Sequence, residues 1–189
     1  DFVLGDIVNF WTSFADGVAL GTGTVLTGET STWSLDANPD IANSTLIPHT
    51  TVYNAATAGT TAWYQVTVVA GQTITLDIDY GWHIIGEVAD FELRLFDAGG
   101  NLVAANEDAF TTNGGGGSDS GSDPYLTHTF AAAGTYHIQV GAWQFAPGLA
   151  NFAGGEEYLL NISLTGQTAT GVGANGDDIL NGEAGYDTL

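Results

Sequence analysis

Oxygen-bearing side chains flank two long stretches of the chain that are predicted below to be loops. Asp79 ends one predicted strand and Asp90 begins the next, on the two sides of residues 81–89. Hard cations such as Ca2+ bind about six to eight oxygen ligands from carboxylates, hydroxyls and carbonyls. The pattern therefore predicts calcium sites, as opposed to a solvated acidic loop. The further ligand candidates flank the next long loop: Asn106, Glu107, Asp108, Asp119, Ser120 and Asp123.

The charge balance of the chain requires that its carboxylates be solvated, protonated or bound to a cation. The 189 residues include 22 acidic residues and a single lysine or arginine, Arg94, for a formal net charge of -21. Nucleic acid and anionic membrane surfaces are excluded as partners because both need clusters of basic side chains. Almost none of the carboxylates can be paired within the chain, so divalent metal is the expected counterion.

The C-terminal stretch repeats with a period of nine residues. Gly173-Ala-Asn-Gly-Asp-Asp-Ile-Leu-Asn is followed by Gly182-Glu-Ala-Gly-Tyr-Asp-Thr-Leu. The repeat resembles the RTX motif of calcium-binding β-rolls, although Ala174 and Glu183 replace its second glycine. Asp178 and Asp187 occupy the calcium-binding position of that motif. Two repeats are too few to close a roll, so we expect an incipient roll that continues downstream in a longer polypeptide.

Cysteine is absent, which excludes a disulfide scaffold and a thiolate zinc site. No signal peptide and no apolar run of transmembrane length is present, so no membrane insertion is expected. Calcium could then take the place of disulfides in holding extracellular loops.

Period-two alternation of apolar and polar residues predicts an all-β chain. Seven short strands of this kind indicate an antiparallel β-sandwich, jelly-roll-like, over residues 38–165. Residues 1–37 are predicted to be an extension that packs on the sandwich, as a helix or an edge strand, and 166–189 to be a linker with the first RTX repeats. The predicted strands are 62–69, 72–80, 90–97, 101–106, 125–130, 135–142 and 157–165.

The connections between these strands alternate between tight and long. Tight turns are expected at 70–71, 98–100 and 131–134, and long loops at 81–89, 107–124 and 143–156. If successive strands run antiparallel, the long loops gather at one end of the sandwich. Because rigid scaffolds carry their functional residues on loops, that end is the predicted site.

Several stretches resemble one family in the expected order. "PDIANSTLIPHTTV" (39–52), "WYQVTVVAGQTITLDIDYG" (63–81), "DFELRLFDAGGNLVAANED" (90–108), "SDPYLTHTF" (122–130) and "AGTYHIQVG" (133–141) are similar to the pre-peptidase C-terminal-like β-sandwich. The version they resemble is the ligand-binding module of RTX adhesins from Gram-negative bacteria. The resemblance implies a secreted, cell-surface, calcium-dependent module that binds the C-terminus of an extracellular peptide or protein in adhesion and biofilm formation. Type I secretion and a monomeric state are implied with it.

Aromatic and polar residues in or beside the long loops are the candidates for ligand contact. Aromatic side chains there could form a binding platform, or they could cover one end of the core. The ligand-binding candidates are Trp82, His83, Tyr125, Trp143 and Gln144.

Catalysis is not expected. No G-x-S-x-G motif places a serine at a strand-to-helix turn, and carboxylate pairs are uninformative in so acidic a chain. The alternatives to a peptide-binding adhesin module are a carbohydrate-binding module, an accessory domain of a secreted protease and a structural spacer.

Overall fold

The computed structural model describes residue 20 and residues 24–25, 32–83, 87–144 and 149–170, and within these it contains ten strands. The repeat that carries Asp178 and Asp187, and most of the predicted extension at 1–37, lie outside the described residues. No helix in the described part of the chain is long and apolar enough to cross a membrane. The strands are β1 (Thr24–Val25), β2 (His49–Ala55), β3 (Ala62–Val68), β4 (Thr73–His83), β5 (Glu87–Val88), β6 (Phe91–Phe96), β7 (Leu102–Asn106), β8 (Tyr125–Thr129), β9 (Gly134–Ala142) and β10 (Glu156–Leu164).

The strands form two sheets that pack as a β-sandwich. The first sheet has the order β1-β3-β9-β6-β7, and the second has the order β2-β10-β4-β5 with β8 paired to β4. All of these pairings are antiparallel except that of β1 with β3. The predicted sandwich is therefore confirmed.

All seven predicted strands are present, with ends shifted by at most three residues. The largest shift is at β4, which continues to His83 because β5 pairs with its last two residues. β1, β5 and β2 were not predicted as strands. β1 and β5 have two residues each, too few for an alternation to show. β2 has seven residues. Its sequence, HTTVYNA, is mostly polar and lies at a sheet edge, where it pairs only with β10 among the named strands. Polar composition at an edge hides the alternation that identifies a central strand.

The core is built from the alternate residues of facing strands. Ile74, Leu76 and Ile78 on β4 are fully buried, and the first sheet supplies buried residues such as Leu93 and Ile138. Each such side chain stabilises the fold by about 1.5–3 kcal/mol relative to its exposed state. The same alternation places Asp77 and Asp79 on the outer face of the second sheet.

β6 departs from the half-buried pattern that its sequence predicts, because all six of its residues are buried. Arg94 contacts Glu92 on its own strand, with Nε 2.6 Å from Oε1. This local ion pair is buried. Burial raises the pKa of Glu92, and the neighbouring guanidinium opposes that rise.

The two ends of the sandwich are distinct. Two of the tight turns lie side by side, since the amide of Gly71 donates to the carbonyl of Phe130 (2.8 Å) and the amide of Phe130 donates to that of Gln72 (2.9 Å). At the opposite end of the strands, Trp143 donates from its backbone amide to the carbonyl of Asp90 (2.9 Å). These contacts agree with the predicted separation of tight turns from long loops.

Candidate functional site

Two neighbouring carboxylates lie on the outer face of β4. Asp77 is 3% exposed and Asp79 is fully buried. Asp77 has Tyr125 of β8 opposite it on one side and Asn161 of β10 on the other. Asp77 therefore has a strand on both sides, whereas Asp79 is paired with β10 alone.

A glycine-rich loop, residues 113–118, covers the two carboxylates; we call it the glycine loop. Its backbone is tied to segment 38–47 and to β4. The carbonyl of Gly114 accepts from the amide of Ala42, and the amide of Gly116 donates to the carbonyl of Pro39 (2.9 Å). The carbonyl of Gly117 accepts from the amide of Tyr80 (3.1 Å). These backbone bonds order a loop that, on sequence alone, has no anchor except a cation.

Three positions of the glycine loop, Gly114, Gly115 and Gly117, require glycine, and the first and last of them face the two carboxylates. Gly114 has φ of +78°, and a Cβ there would overlap the Asp77 carboxylate. Gly117 has φ of +90°, and a Cβ there would lie 2.5 Å from Cγ of Asp79. Only glycine combines this left-handed backbone with so close an approach to a neighbouring side chain.

Asp79 is well supplied with hydrogen bonds. Its Oδ2 accepts from Nδ2 of Asn161 (2.6 Å), and its Oδ1 accepts from the hydroxyl of Ser118 (3.2 Å). The hydroxyl of Thr51 donates to Oδ1 of Asn161 (2.5 Å), which orients the amide group so that its nitrogen faces Asp79. A chain of polar contacts thus runs from the edge strand β2 to this carboxylate.

Asp77 and Asp123 have buried oxygens without protein partners. Neither oxygen of Asp77 accepts a hydrogen bond, and the same holds for Oδ1 of Asp123, a residue that is 1% exposed. Oδ2 of Asp123 accepts from the amide of Asp119 (2.9 Å). A cavity of about 70 Å3 adjoins Asp77 and is lined also by Thr75, Tyr125, Asn161 and Ser163. This volume is enough for a cation with one or two waters.

Burial and mutual repulsion disfavour the charged form of this group, which we call the buried acid cluster (Asp77, Asp79 and Asp123). Burial, followed by repulsion from Asp79 and Asp123, raises the pKa of Asp77 to about 8. Burial raises the pKa of Asp79 to about 7, although hydrogen bonds from Asn161 and Ser118 oppose the rise. Burial likewise raises the pKa of Asp123 to about 6. Without a cation, part of the cluster would keep its protons at neutral pH.

These shifts predict an unusual pH dependence of stability in calcium-free buffer. The folded chain holds protons that the unfolded chain releases near pH 4, so the free energy of unfolding should fall as the pH rises from about 4 to about 8. Calcium binds the deprotonated carboxylates and should therefore flatten or reverse that slope. Thermal unfolding across this pH range, with and without calcium, measures both curves. A calcium-free melting temperature that is constant or rises with pH would contradict the prediction.

Four of the remaining predicted calcium ligands gather in a second group, near the ends of β6 and β7. Repulsion links Asp90 with Asp108, and burial together with Glu92, Asp108 and Asp90 raises the pKa of Glu107. Oε2 of Glu107 is buried and has no hydrogen-bond partner. Asn106, at the end of β7, accepts from the amide of Tyr125 through Oδ1 (2.9 Å).

The two acids predicted to face each other across residues 81–89 therefore belong to different groups. Asp79 interacts with Asp40 and Asp123, whereas Asp90 interacts with Asp108. Asp119 is exposed at the end of the glycine loop, and Ser120 supports the following turn by accepting from the amide of Ser122 through Oγ (3.1 Å).

The ligand-binding candidates are dispersed. Trp82 and His83 are the last two residues of β4, where they pair with β5, and only their backbone is described. Tyr125 lines the cavity beside Asp77. Trp143 is 37% exposed, and Gln144 is half-buried beside it.

Calcium fits the buried acid cluster only with help from neutral oxygens. Among the described residues, no three carboxylate or imidazole groups converge tightly enough to form a metal cluster by themselves. Calcium commonly completes its coordination with hydroxyls, carbonyls and water. Both carboxylate oxygens of Asp77 and Oδ1 of Asp123 have no hydrogen-bond partner. These are the oxygens that would contribute to such a mixed site.

Sequence reasoning missed Asp77 and Asp40. The stretch "LDID" carries the signal for Asp77, because acids two residues apart in a strand share a face. No local pattern identifies Asp40, whose carboxylate accepts from the hydroxyl of Tyr80 (3.1 Å).

Comparison with known proteins gives one family and several distant structures. Residues 60–142 match the model of the bacterial pre-peptidase C-terminal domain. No curated protein matches the chain.

Three crystal structures show limited similarity. PliG of Aeromonas hydrophila, a periplasmic lysozyme inhibitor of g-type lysozyme, has a TM-score of 0.41 and 18% identity over 64% of this chain and 90% of its own. PliG of Salmonella Typhimurium has a TM-score of 0.40 and 15% identity over 76% of this chain and 100% of its own. The pre-peptidase C-terminal domain of a collagenase from Bacillus anthracis has a TM-score of 0.38 and 14% identity over 62% of this chain and 89% of its own.

Proposed function

Because residues 60–142 carry a bacterial pre-peptidase C-terminal domain, we propose that this chain is a calcium-dependent ligand-binding module of a large secreted RTX adhesin. It acts on the surface of a Gram-negative bacterium as a monomer, without catalysis, and recognises the C-terminus of an extracellular peptide or protein.

The observation that carries the proposal is Asp77. Its carboxylate is almost fully buried, both of its oxygens lack a partner, and it adjoins a cavity lined by both polar and apolar side chains. Burying an unpaired charge in this way is costly, and a bound cation removes the cost. Asp77, Asp79 and Asp123 would hold calcium, with Ser118 and other neutral oxygens nearby.

Bound calcium supplies the positive charge to which a ligand carboxylate can bind. The chain offers no lysine or arginine on its surface for this purpose, because its single one, Arg94, is buried beside Glu92. The acids of the cluster would position the ion, and the glycine loop would shield one side of it from water. Asp90, Glu107 and Asp108 would hold a second ion that braces the loop end, and Asp178 and Asp187 would serve the RTX repeat.

The direct test is a peptide array that presents free and amidated C-termini, probed with the domain in calcium and in EDTA. We expect binding only in calcium and only to free carboxylates, with amidation weakening it by about 10- to 100-fold, the loss expected for a bond to a charged group. Binding that survives EDTA, or that ignores amidation, would contradict the proposal.

A glycan array probed under the same conditions tests the carbohydrate alternative. Calcium-dependent binding to glycans with none to peptides would replace a peptide ligand by a sugar. Binding to neither would leave a spacer or an accessory domain of a secreted protease.

A further inference from the structure

A cleft of about 360 Å3 opens on the outer face of the second sheet, beside the glycine loop. It lies across β2, β10 and β4. Its lining consists of Tyr53, Tyr80, Asp119, Glu157, Tyr158 and Leu159. None of these except Asp119 was assigned a role above.

An irregularity in β4 directs Tyr80 into this surface. The pairing of β10 with β4 shifts between Glu157 and Leu159, so that Tyr80 and Gly81 together face Tyr158 as a β-bulge. Tyr80 has φ of +53°, which is a strained conformation for a large side chain. The bond from its amide to the carbonyl of Gly117 holds this backbone in place, and its side chain is 43% exposed. Strain of this kind is concentrated at functional positions.

A second tyrosine faces the cleft from the edge strand. Tyr53 of β2 is opposite Leu159 of β10 and is 59% exposed. Two exposed aromatic side chains thus border one cleft, with the aliphatic side chain of Leu159 on the strand between them.

The side chains that line the cleft can accept hydrogen bonds from a ligand, but their own hydroxyl protons are already donated. The hydroxyl of Tyr53 donates to the carboxylate of Glu157, and the hydroxyl of Tyr80 donates to Oδ2 of Asp40 (3.1 Å). Each bond raises the pKa of its tyrosine. Because both phenol protons are already used, the cleft offers a ligand carboxylate oxygens and aromatic faces, and no free side-chain donor.

The charge around the cleft is entirely negative. Asp119 and Glu157 line it, Asp40 contacts Tyr80, and Asp79 and Asp119 act on Tyr80 electrostatically. Arg94, the one basic residue besides histidine in the chain, is on β6 in the other sheet. A positively charged ligand group on an apolar stem therefore matches both the charge and the aromatic lining of the cleft.

We infer that this cleft binds the side chain of a lysine or arginine on the ligand, with the cation held between the faces of Tyr53 and Tyr80 and the carboxylates of Asp119 and Glu157. The inference rests on the proposed function and names the ligand's second recognition element. A cation over tyrosine rings is attracted by about 0.5–2 kcal/mol, depending on desolvation. An anionic group is repelled here, and a neutral sugar would not offset the charge.

The test compares peptides with a free C-terminus that differ at one side chain. The array of the preceding section selects a peptide, and its basic residue is replaced by an uncharged analogue of similar shape, norleucine for lysine or citrulline for arginine. Calorimetry in saturating calcium should show a loss of about 2- to 30-fold in affinity. The loss should shrink at high salt, since the pairing is partly electrostatic.

Variants of the domain assign the effect to the cleft. Glu157→Gln and Tyr53→Thr lie outside the calcium candidates, and threonine keeps the strand propensity of position 53. Both variants should bind the basic peptide with lower affinity and bind its uncharged analogue with unchanged affinity. Asp97→Asn, in the tight turn between β6 and β7, removes the same unit of charge at a distance and should change neither. Thermal melts check that each variant is folded.

The outcomes separate the two proposals. Calcium-dependent binding that is equal for the basic and uncharged peptides would overturn the cleft's role and leave the proposed function standing. Equal losses for both peptides in Glu157→Gln would also overturn it. A domain that binds no peptide in calcium would overturn both.

Discussion

Replacing Asp77 by asparagine is expected to make the calcium-free domain more stable and to remove most of the stabilisation that calcium gives. In the absence of a cation, Asp77 is a buried acid with two unpaired oxygens beside two other acids. An amide of the same shape carries no charge and brings a donor into a group of acceptors. Relief of such a buried group is worth about 1–3 kcal/mol.

In calcium, we expect the wild-type domain to be more stable than Asp77→Asn, the reverse of their order without calcium. A ligand at about a hundredfold its dissociation constant stabilises the folded state by about 2.7 kcal/mol, which for a chain of this size raises Tm by roughly 5–11 °C. The wild-type domain should show this increase, whereas Asp77→Asn should show little of it. Differential scanning calorimetry in EDTA and in calcium gives all four values. Asp97→Asn is the matched control and should keep the calcium response.

Two results would contradict the assignment of Asp77. One is an Asp77→Asn variant that retains the full calcium increment, which would place the stabilising ion in the second group around Asp90 and Glu107. The other is a wild-type domain whose melting temperature does not change with chelator, which would remove the case for calcium altogether.

Gly114→Ala is expected to destabilise the domain by about 3–5 kcal/mol and to weaken calcium binding. The left-handed backbone costs an alanine about 1–2 kcal/mol, and the new Cβ would in addition displace the glycine loop from the Asp77 carboxylate. Urea unfolding in calcium measures the loss, and calcium titration measures the change in affinity.

Gly59→Ala supplies the matched control. Gly59 has φ of +76°, nearly that of Gly114, but a Cβ there would have no atom within 4 Å. It should therefore cost the backbone strain alone, about 1–2 kcal/mol, and leave calcium affinity unchanged. If the two variants are equally destabilised and bind calcium equally, the glycine loop is not packed on Asp77 as described.

The sequence alone was sufficient for the seven strands that form most of the scaffold. Strands such as β3 and β9 alternate apolar and polar residues with period two, and that local pattern specifies both the strand and the side that is buried. The surplus of acids likewise predicts a need for cations, because charge is a property of composition. The ion pair of Glu92 and Arg94 follows from strand geometry, because residues two positions apart on one strand share a face.

Only the tertiary structure decided which acids meet. The buried acid cluster brings Asp77 and Asp79 of β4 together with Asp123, which is 44 positions after Asp79. The cover of the cluster comes from segment 38–47 and the glycine loop. Those contacts are backbone hydrogen bonds between irregular segments, which have no periodic signature in sequence. The cleft depends on β2 pairing with β10 and on a bulge that directs Tyr80 outward. Local preferences set the conformation of each strand, whereas long-range pairing and close packing set the distances between strands, and binding sites depend on those distances.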